Sequence, residues 1–162
     1  MAVRLKIYYG RECGECAACC KHLFIPANVV SAAAKPAGEA CPHLGGAGCG
    51  IYDGRPSVCS RFRCGWLADD EWPDDWRPDV SGLLCLREFL DNGLPAALVS
   101  ETRPGALLEP LAKEILLHLL QNTSHVVVVA PDGRRHLMLG SYKPGAAPKP
   151  ETEAAPPLRI AA

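Results

Sequence analysis

Residues 13–20 read CGECAACC, and residues 41–64 read CPHLGGAGCGIYDGRPSVCSRFRC. Together these two stretches hold eight of the nine cysteines of this chain. The eight are Cys13, Cys16, Cys19, Cys20, Cys41, Cys49, Cys59 and Cys64. Two residues between cysteines allow a tight turn that brings both sulfurs to one metal ion. The pattern predicts that the front of the chain is organised around cysteine-bound metal.

The sequence between the first and the last of these cysteines is poor in regular structure. Prolines and glycines interrupt it repeatedly, and its apolar residues show no steady period. Such a segment has too little apolar surface to order itself unless something else cross-links it. A structural zinc site contributes folding free energy on the order of 10 kcal/mol, which is enough for that purpose.

Disulfide bonds are the alternative use for so many cysteines. The count is odd, and the start of the chain, MAVRLKIYYG, does not have the apolar core and cleavage site of a signal peptide. We therefore expect free thiols in a reducing, cytoplasmic location. No stretch of eighteen apolar residues is present, so we expect no membrane partner.

Charge is distributed unevenly along the chain. Residues 1–64 carry eight Lys and Arg against four Asp and Glu, a net charge of +4, whereas residues 65–142 carry six against twelve, a net charge of −6. Residues 143–162 carry three against two, and the whole chain has a net charge of −1. This balance gives no reason to expect a nucleic acid partner. The basic excess beside the cysteines would partly offset the negative charge of metal-bound thiolates.

The second half has conventional periodicity. Residues 83–90 and 94–101 flank a turn at 91–93 and predict one hairpin, and residues 125–130 and 136–139 flank 131–133 and predict another. Between them, leucines and one isoleucine recur every three or four residues from 107 to 120, as in an amphipathic helix. The predicted fold class is α+β: a cysteine-rich, metal-organised loop region packed on a small antiparallel sheet of two hairpins with one main helix.

We predict a single metal-binding domain over residues 1–142. It comprises the cysteine cluster at 11–64 and the hairpin–helix–hairpin part at 80–142. Residues 143–162 are rich in proline and alanine and predict a disordered tail.

The spacing does not identify the metal. Thiolate tetrahedra suit zinc and iron–sulfur clusters alike. The first three cysteines match the C-x₂-C-x₂-C run of cluster proteins, and Cys41 precedes a proline as the last ligand of that run does, but the intervening length differs. Roughly 35 divisions of eight ligands into two sets of four remain open. The candidate cofactor is therefore zinc or iron, including an iron–sulfur cluster.

Several other residues have two interpretations. His43 could replace one sulfur in a Cys₃His site, although the cysteines alone suffice for two sites. Cys85 lies in an apolar strand and is interpreted as a small buried residue. The three tryptophans at 66, 72 and 76 stand among acidic residues and are interpreted as lids over the metal loops. The alternative is that this segment docks a basic protein partner.

The arginines beside the second cysteine stretch, Arg55, Arg61 and Arg63, also have two interpretations. They hold loop carbonyls, or they compensate thiolate charge and grip an anionic substrate. We favour the structural role. Tyr52 is expected to pack across the loop.

The segments CGECAACC, CPHLGGAGCGIYDGRPSVCSRFRC and DDWRPDVSG resemble the CxxCxxCC cysteine-cluster family, also called the YkgJ family. That family is described as a zinc- or iron-chelating domain, and some members are similar to flagellin lysine methylases. The resemblance covers about residues 11–82, and IYDGRP is its most specific part. It implies metal chelation through the eight cysteines. The additional region of methylase-like members and a glycine-rich S-adenosylmethionine loop are missing, and Ser60 stands where many members have arginine.

Three functions are consistent with these observations. The first is a cysteine-ligated zinc- or iron-binding protein with one or two centres that stabilise the front half. The second is an iron–sulfur redox or protein-modifying enzyme, and the third is a metal carrier or buffer. An enzyme would need an open coordination position, whereas structural zinc sites are closed.

Overall fold

The computed structural model describes residues 11–130 and 132–142. The predicted disordered tail at 143–162 lies outside them. Within the described residues the fold is α+β, as predicted, with one long helix, a two-stranded hairpin and a four-stranded sheet. No helix there is long and apolar enough to cross a membrane.

The four-stranded sheet is mixed. Its strands, in spatial order, are β3 (Leu83–Phe89), β4 (Pro95–Glu101), β5 (His125–Val129) and β6 (Arg135–Leu139). The two predicted hairpins are both present as antiparallel pairs. However, β4 and β5 run parallel, with Leu98 opposite Val127. The prediction of an antiparallel sheet was therefore wrong at this junction, because the connecting helix returns the chain to the same end of the sheet.

That connection is α5 (Pro110–Asn122), preceded by a 3₁₀ turn at Ala106–Leu108. Proline suits the first helical position because its missing N–H would have no partner there. Ala112, Ile115 and Leu119 are buried, and their spacing of three and four residues places them on one face against the sheet.

The main core lies between this sheet, α5 and three tryptophans. The sheet contributes its most buried side chains at Leu83, Leu84, Val99 and Val126. Trp66, Trp72 and Trp76 are each no more than 9% exposed, so they belong to the core, as the simpler interpretation predicted. Their burial leaves only the acidic side chains of that segment available to a protein partner.

The cysteine region has only short elements. They are α1 (Ala18–His22), β1 (Leu44–Gly45), β2 (Gly48–Cys49), α2 (Ser57–Arg61) and α3 (Gly65–Ala68), followed by a 3₁₀ turn at Asp74–Trp76 and α4 (Pro78–Ser81). A second, small apolar cluster forms around Ile25, Val30 and Cys41. This cluster of three buried residues, with Leu23 and Cys64 buried in the main core, contributes little toward ordering some fifty residues. This part of the chain matches the expectation of a loop-rich segment with little apolar burial.

Arg11 joins the cysteine region to the main core. Its guanidinium donates to the carbonyls of Trp66, Asp69 and Trp72 over 2.6–3.0 Å and lies 4.5 Å from the Trp66 ring centroid. These bonds engage carbonyls of α3 and of the segment that follows it, and buried carbonyls need such partners. The start of the first cysteine stretch is thereby fixed against the tryptophan segment.

Candidate metal centre

A tight turn and a short helix shape the first cysteine stretch. The Cys16 amide donates to the Cys13 carbonyl over 2.9 Å. Gly14 between them has a φ of 53°, a left-handed conformation that glycine adopts readily. Helix α1 begins two residues later at Ala18. The result is that the Cys13 and Cys19 thiols lie close enough to interact.

Four thiols border one small cavity, which we call the first thiol group. They belong to Cys13, Cys16, Cys19 and Cys64. The rest of the lining is apolar: Ala18, Phe62, Trp66, Leu67, Pro78 and Leu84. The cavity volume is about 10 Å³, roughly the room of one water-sized sphere. A cavity of this size suits a single ion.

Close approach among neighbouring thiols shifts their pKa values in opposite directions. The interaction of Cys19 with Cys13 and Cys20 raises the pKa of Cys19, and it is the largest cause of a lowered pKa at Cys13 and at Cys20. Burial opposes the lowering, and the positive charge of Arg55 assists it. Burial raises the pKa of Cys64 to about 11. Among Cys13, Cys19, Cys20 and Cys64, the thiols of Cys13 and Cys20 are therefore the ones that deprotonate first.

The other four cysteines gather at a different place, and we call them the second thiol group. They are Cys20, Cys41, Cys49 and Cys59. Cys41 is buried in the small apolar cluster, and Cys20 and Cys59 pack against that cluster. Burial, and then the charges of the other three thiols of this group, raise the pKa of Cys59. The four side chains thus lie near one another although they come from two separate stretches of the sequence.

Backbone contacts hold the second group beside the first. The Cys41 amide donates to the Cys20 carbonyl over 2.9 Å, and Cys49 lies in β2 of the small hairpin. At the turn of that hairpin Gly48 has a φ of 103°, and a Cβ there would be 2.9 Å from the Gly14 carbonyl oxygen. Only glycine allows this close approach. The hairpin is therefore in contact with the turn of the first cysteine stretch.

Two cations lie close to the thiols. The Lys35 side chain is 4% exposed, and its charge acts with Cys41, Cys20 and Cys19. The Arg55 guanidinium stacks 3.5 Å from the Tyr52 ring centroid, and its buried Nε–H has no hydrogen-bond partner among the described residues. Tyr52 does pack across the loop, as expected.

Asp79 and Arg77 are additional neighbours of the first thiol group. The Asp79 carboxylate lies near the Cys16 thiol and accepts from Arg77 over 2.6 and 2.9 Å. Burial acts to raise the pKa of Asp79, but Arg77 lowers it overall. The sequence contained a signal for this pair, because both residues lie in the segment DDWRPDVSG. Lys35 had no such motif around it, so its burial became evident only in the structure.

The remaining candidates from the sequence have clear positions. His43 Nε2 is hydrogen-bonded to the Val30 carbonyl over 2.8 Å, so that nitrogen is occupied. Cys85 is 4% exposed in β3, where burial raises its pKa to about 12, and it is a core residue. All nine cysteines lie within the described residues and are free thiols.

The cysteines of the two thiol groups are suitable ligands for a metal ion, but their side chains are not arranged as a coordination shell. Across residues 11–130 and 132–142, no group of three or more His, Cys, Asp or Glu side chains is arranged to hold a metal ion. Rotation about χ1 moves each sulfur between staggered positions, so closing a shell does not require a new backbone. Trp66 also lines the first cavity, and its buried Nε1–H has no acceptor within the part of the chain that the structure describes. Unpaired buried donors such as this one and Arg55 Nε suit a site that carries negative charge.

Comparison with known proteins identifies no relative. No family model, no curated protein and no solved structure matches this chain. The resemblance of its cysteine motifs to the CxxCxxCC cysteine-cluster family therefore stays a prediction.

Proposed function

We propose that this protein binds zinc or iron through its cysteines, and that the first thiol group holds a single four-coordinate ion, for which zinc is the best fit. The observation that carries the proposal is the cavity bordered by Cys13, Cys16, Cys19 and Cys64. Its volume of about 10 Å³ suits one ion. Zinc takes four thiolates in a tetrahedral arrangement and needs no further ligand.

A structural role follows from the surroundings of this cavity. Four thiols complete the tetrahedron, so no coordination position is left for a substrate. The lining contributed by Phe62, Leu67 and Leu84 belongs to or packs against the main core. A bound ion would tie the loop-rich cysteine region to the sheet, and its binding free energy would appear as folding free energy. The resemblance to a metal-chelating family supports the same role, and a reducing cytoplasm is the location that suits it.

Metal analysis of protein purified under anaerobic, reducing conditions tests the proposal. We expect colourless protein with bound zinc and no inorganic sulfide. Brown, oxygen-sensitive protein with iron and sulfide would replace the single ion by a cluster and favour the redox or modifying enzyme. Folded, fully reduced protein that contains no metal and takes up neither zinc nor iron would overturn the proposal.

A carrier or buffer is distinguished by how it releases metal. A structural site loses zinc to a chelator only as the cysteine region unfolds, because binding and folding are coupled. A carrier would release its ion to a weak chelator while amide exchange in residues 13–64 stays slow. Measuring zinc release and exchange on the same sample separates the two.

A further inference from the structure

The second thiol group has its own surroundings, which differ from those of the first. It packs on the small cluster of Ile25, Val30 and Cys41, and not on the sheet. The first group faces the main core through Trp66 and Leu84. Each group draws on both cysteine stretches of the sequence, and the adjacent residues Cys19 and Cys20 fall into different groups.

Lys35 is the unusual residue near the second group. Its ammonium is buried and donates to the carbonyls of Pro36 over 2.9 Å, Glu39 over 2.6 Å and Lys21 over 3.4 Å. Within the described part of the chain, no Asp or Glu forms an ion pair with it. The Glu39 carboxylate acts on this ammonium from beyond ion-pair distance, and a buried cation without an ion-paired carboxylate is unfavourable. Negative charge nearby would offset that cost.

Four thiolates around a divalent ion supply such charge. On binding, the four thiols lose their protons to solvent, and the centre then carries two net negative charges. The charge of Lys35 acts with Cys41 and Cys20 of this group. A low-dielectric location strengthens the attraction between the ammonium and this centre.

We infer that Cys20, Cys41, Cys49 and Cys59 form a second, separate thiolate site for a divalent soft cation such as zinc, and that buried Lys35 balances its charge. This rests on the proposed function for the first group. Cys19 and Cys20 then serve two different ions. Lys35 is a positioning residue, because its ammonium acts on the sulfurs and is not a ligand.

Zinc stoichiometry in paired cysteine variants of the full chain tests the division. We expect two zinc ions in the wild type and one in Cys41→Ser/Cys59→Ser. One ion should also remain in Cys16→Ser/Cys64→Ser and none in the combination of all four changes. Cys19→Ser should weaken zinc binding only at the first thiol group, and Cys20→Ser should weaken it only at the second thiol group. The zinc that each double variant retains reports that the rest of the protein has folded.

The outcomes separate the two proposals. If the wild type takes up no zinc or iron, the proposed function fails. If it binds one ion that Cys41→Ser/Cys59→Ser leaves in place, the second site is refuted and the first stands. If any pair of changes removes all metal, the eight sulfurs belong to one shared centre and the division is wrong.

Lys35 variants test the charge balance. Lys35→Met should weaken zinc at the second site about tenfold or more and the first site much less, because Lys35 acts on one thiol of the first group, Cys19. Lys35→Arg should recover part of the loss, since it restores the charge. Lys113→Met removes an exposed lysine on α5 and should alter neither site. Equal second-site affinity in Lys35→Met and wild type, or no recovery in Lys35→Arg, would refute the role of Lys35.

Discussion

Gly65 directly follows a proposed ligand and is packed against the main core. A Cβ at this position would lie 2.5 Å from a ring atom of Trp72 and 3.4 Å from the Cβ of Cys85. Contacts of 2.5 Å are not tolerated, so either the indole or helix α3 must move. The close fit makes Gly65 the point where the cysteine region joins the core.

We predict that Gly65→Ala lowers the free energy of unfolding by about 1–3 kcal/mol, the usual cost of overpacking. Urea denaturation followed by tryptophan fluorescence measures this. Gly46→Ala is the matched control, because a Cβ there meets no atom within 4 Å. Equal stability of the two variants would show that Trp72 has room to move and that the close fit is not required.

At the residue scale the sequence identified the cysteines but not their grouping. Cys19 and Cys20 are adjacent, and their spacing left open whether they serve one metal or two. Which other thiols each of them adjoins depends on the contacts that α1 makes, and these are formed by residues distant in sequence. The burial of Lys35 was not predicted for the same reason, since nothing in the local sequence distinguishes a buried lysine from an exposed one.

At the element scale the hairpins and α5 followed directly from periodicity and turn residues. Their limits differ from the predictions by only a few residues. The parallel pairing of β4 with β5 was missed because local periodicity contains no information about strand order. The short helices of the cysteine region were also beyond prediction, because four or five residues give too little periodicity to recognise.

The elements of the cysteine region should become less protected when one ligand of the first thiol group is lost, while the second thiol group still holds its ion. We predict that Cys16→Ser speeds amide exchange across residues 13–64, since the proposed ion holds these short elements together. Cys85→Ser, in contrast, should lower the stability of the sheet by placing a hydroxyl in the core. Hydrogen exchange read by mass spectrometry compares the two variants. If exchange in residues 13–64 is the same in both, Cys16 is not a ligand.

For the whole molecule, the two halves differ in how much apolar surface they bury. The sheet and α5 bury a large apolar cluster, whereas the cysteine region has a small one. We therefore expect metal to stabilise the molecule unequally along its length. The charge pattern of the sequence, basic around the cysteines and acidic beyond them, agrees with a front half that compensates thiolate charge.

The stabilisation by metal should depend on pH. Protons compete with zinc for the thiolates, so zinc affinity and its contribution to stability fall as the pH falls. We predict that the difference in Tm between zinc-loaded and metal-free protein shrinks progressively between about pH 8 and about pH 5. Differential scanning calorimetry of both forms measures it. A difference that stays constant over this range would mean that thiols do not hold the ion.

X-ray absorption at the zinc edge tests most directly whether cysteine sulfurs converge on an ion. It should be recorded on reduced, zinc-loaded protein of the full chain. The account predicts a first shell of four sulfurs at about 2.3 Å. A shell dominated by nitrogen or oxygen at about 2.0–2.1 Å would contradict it.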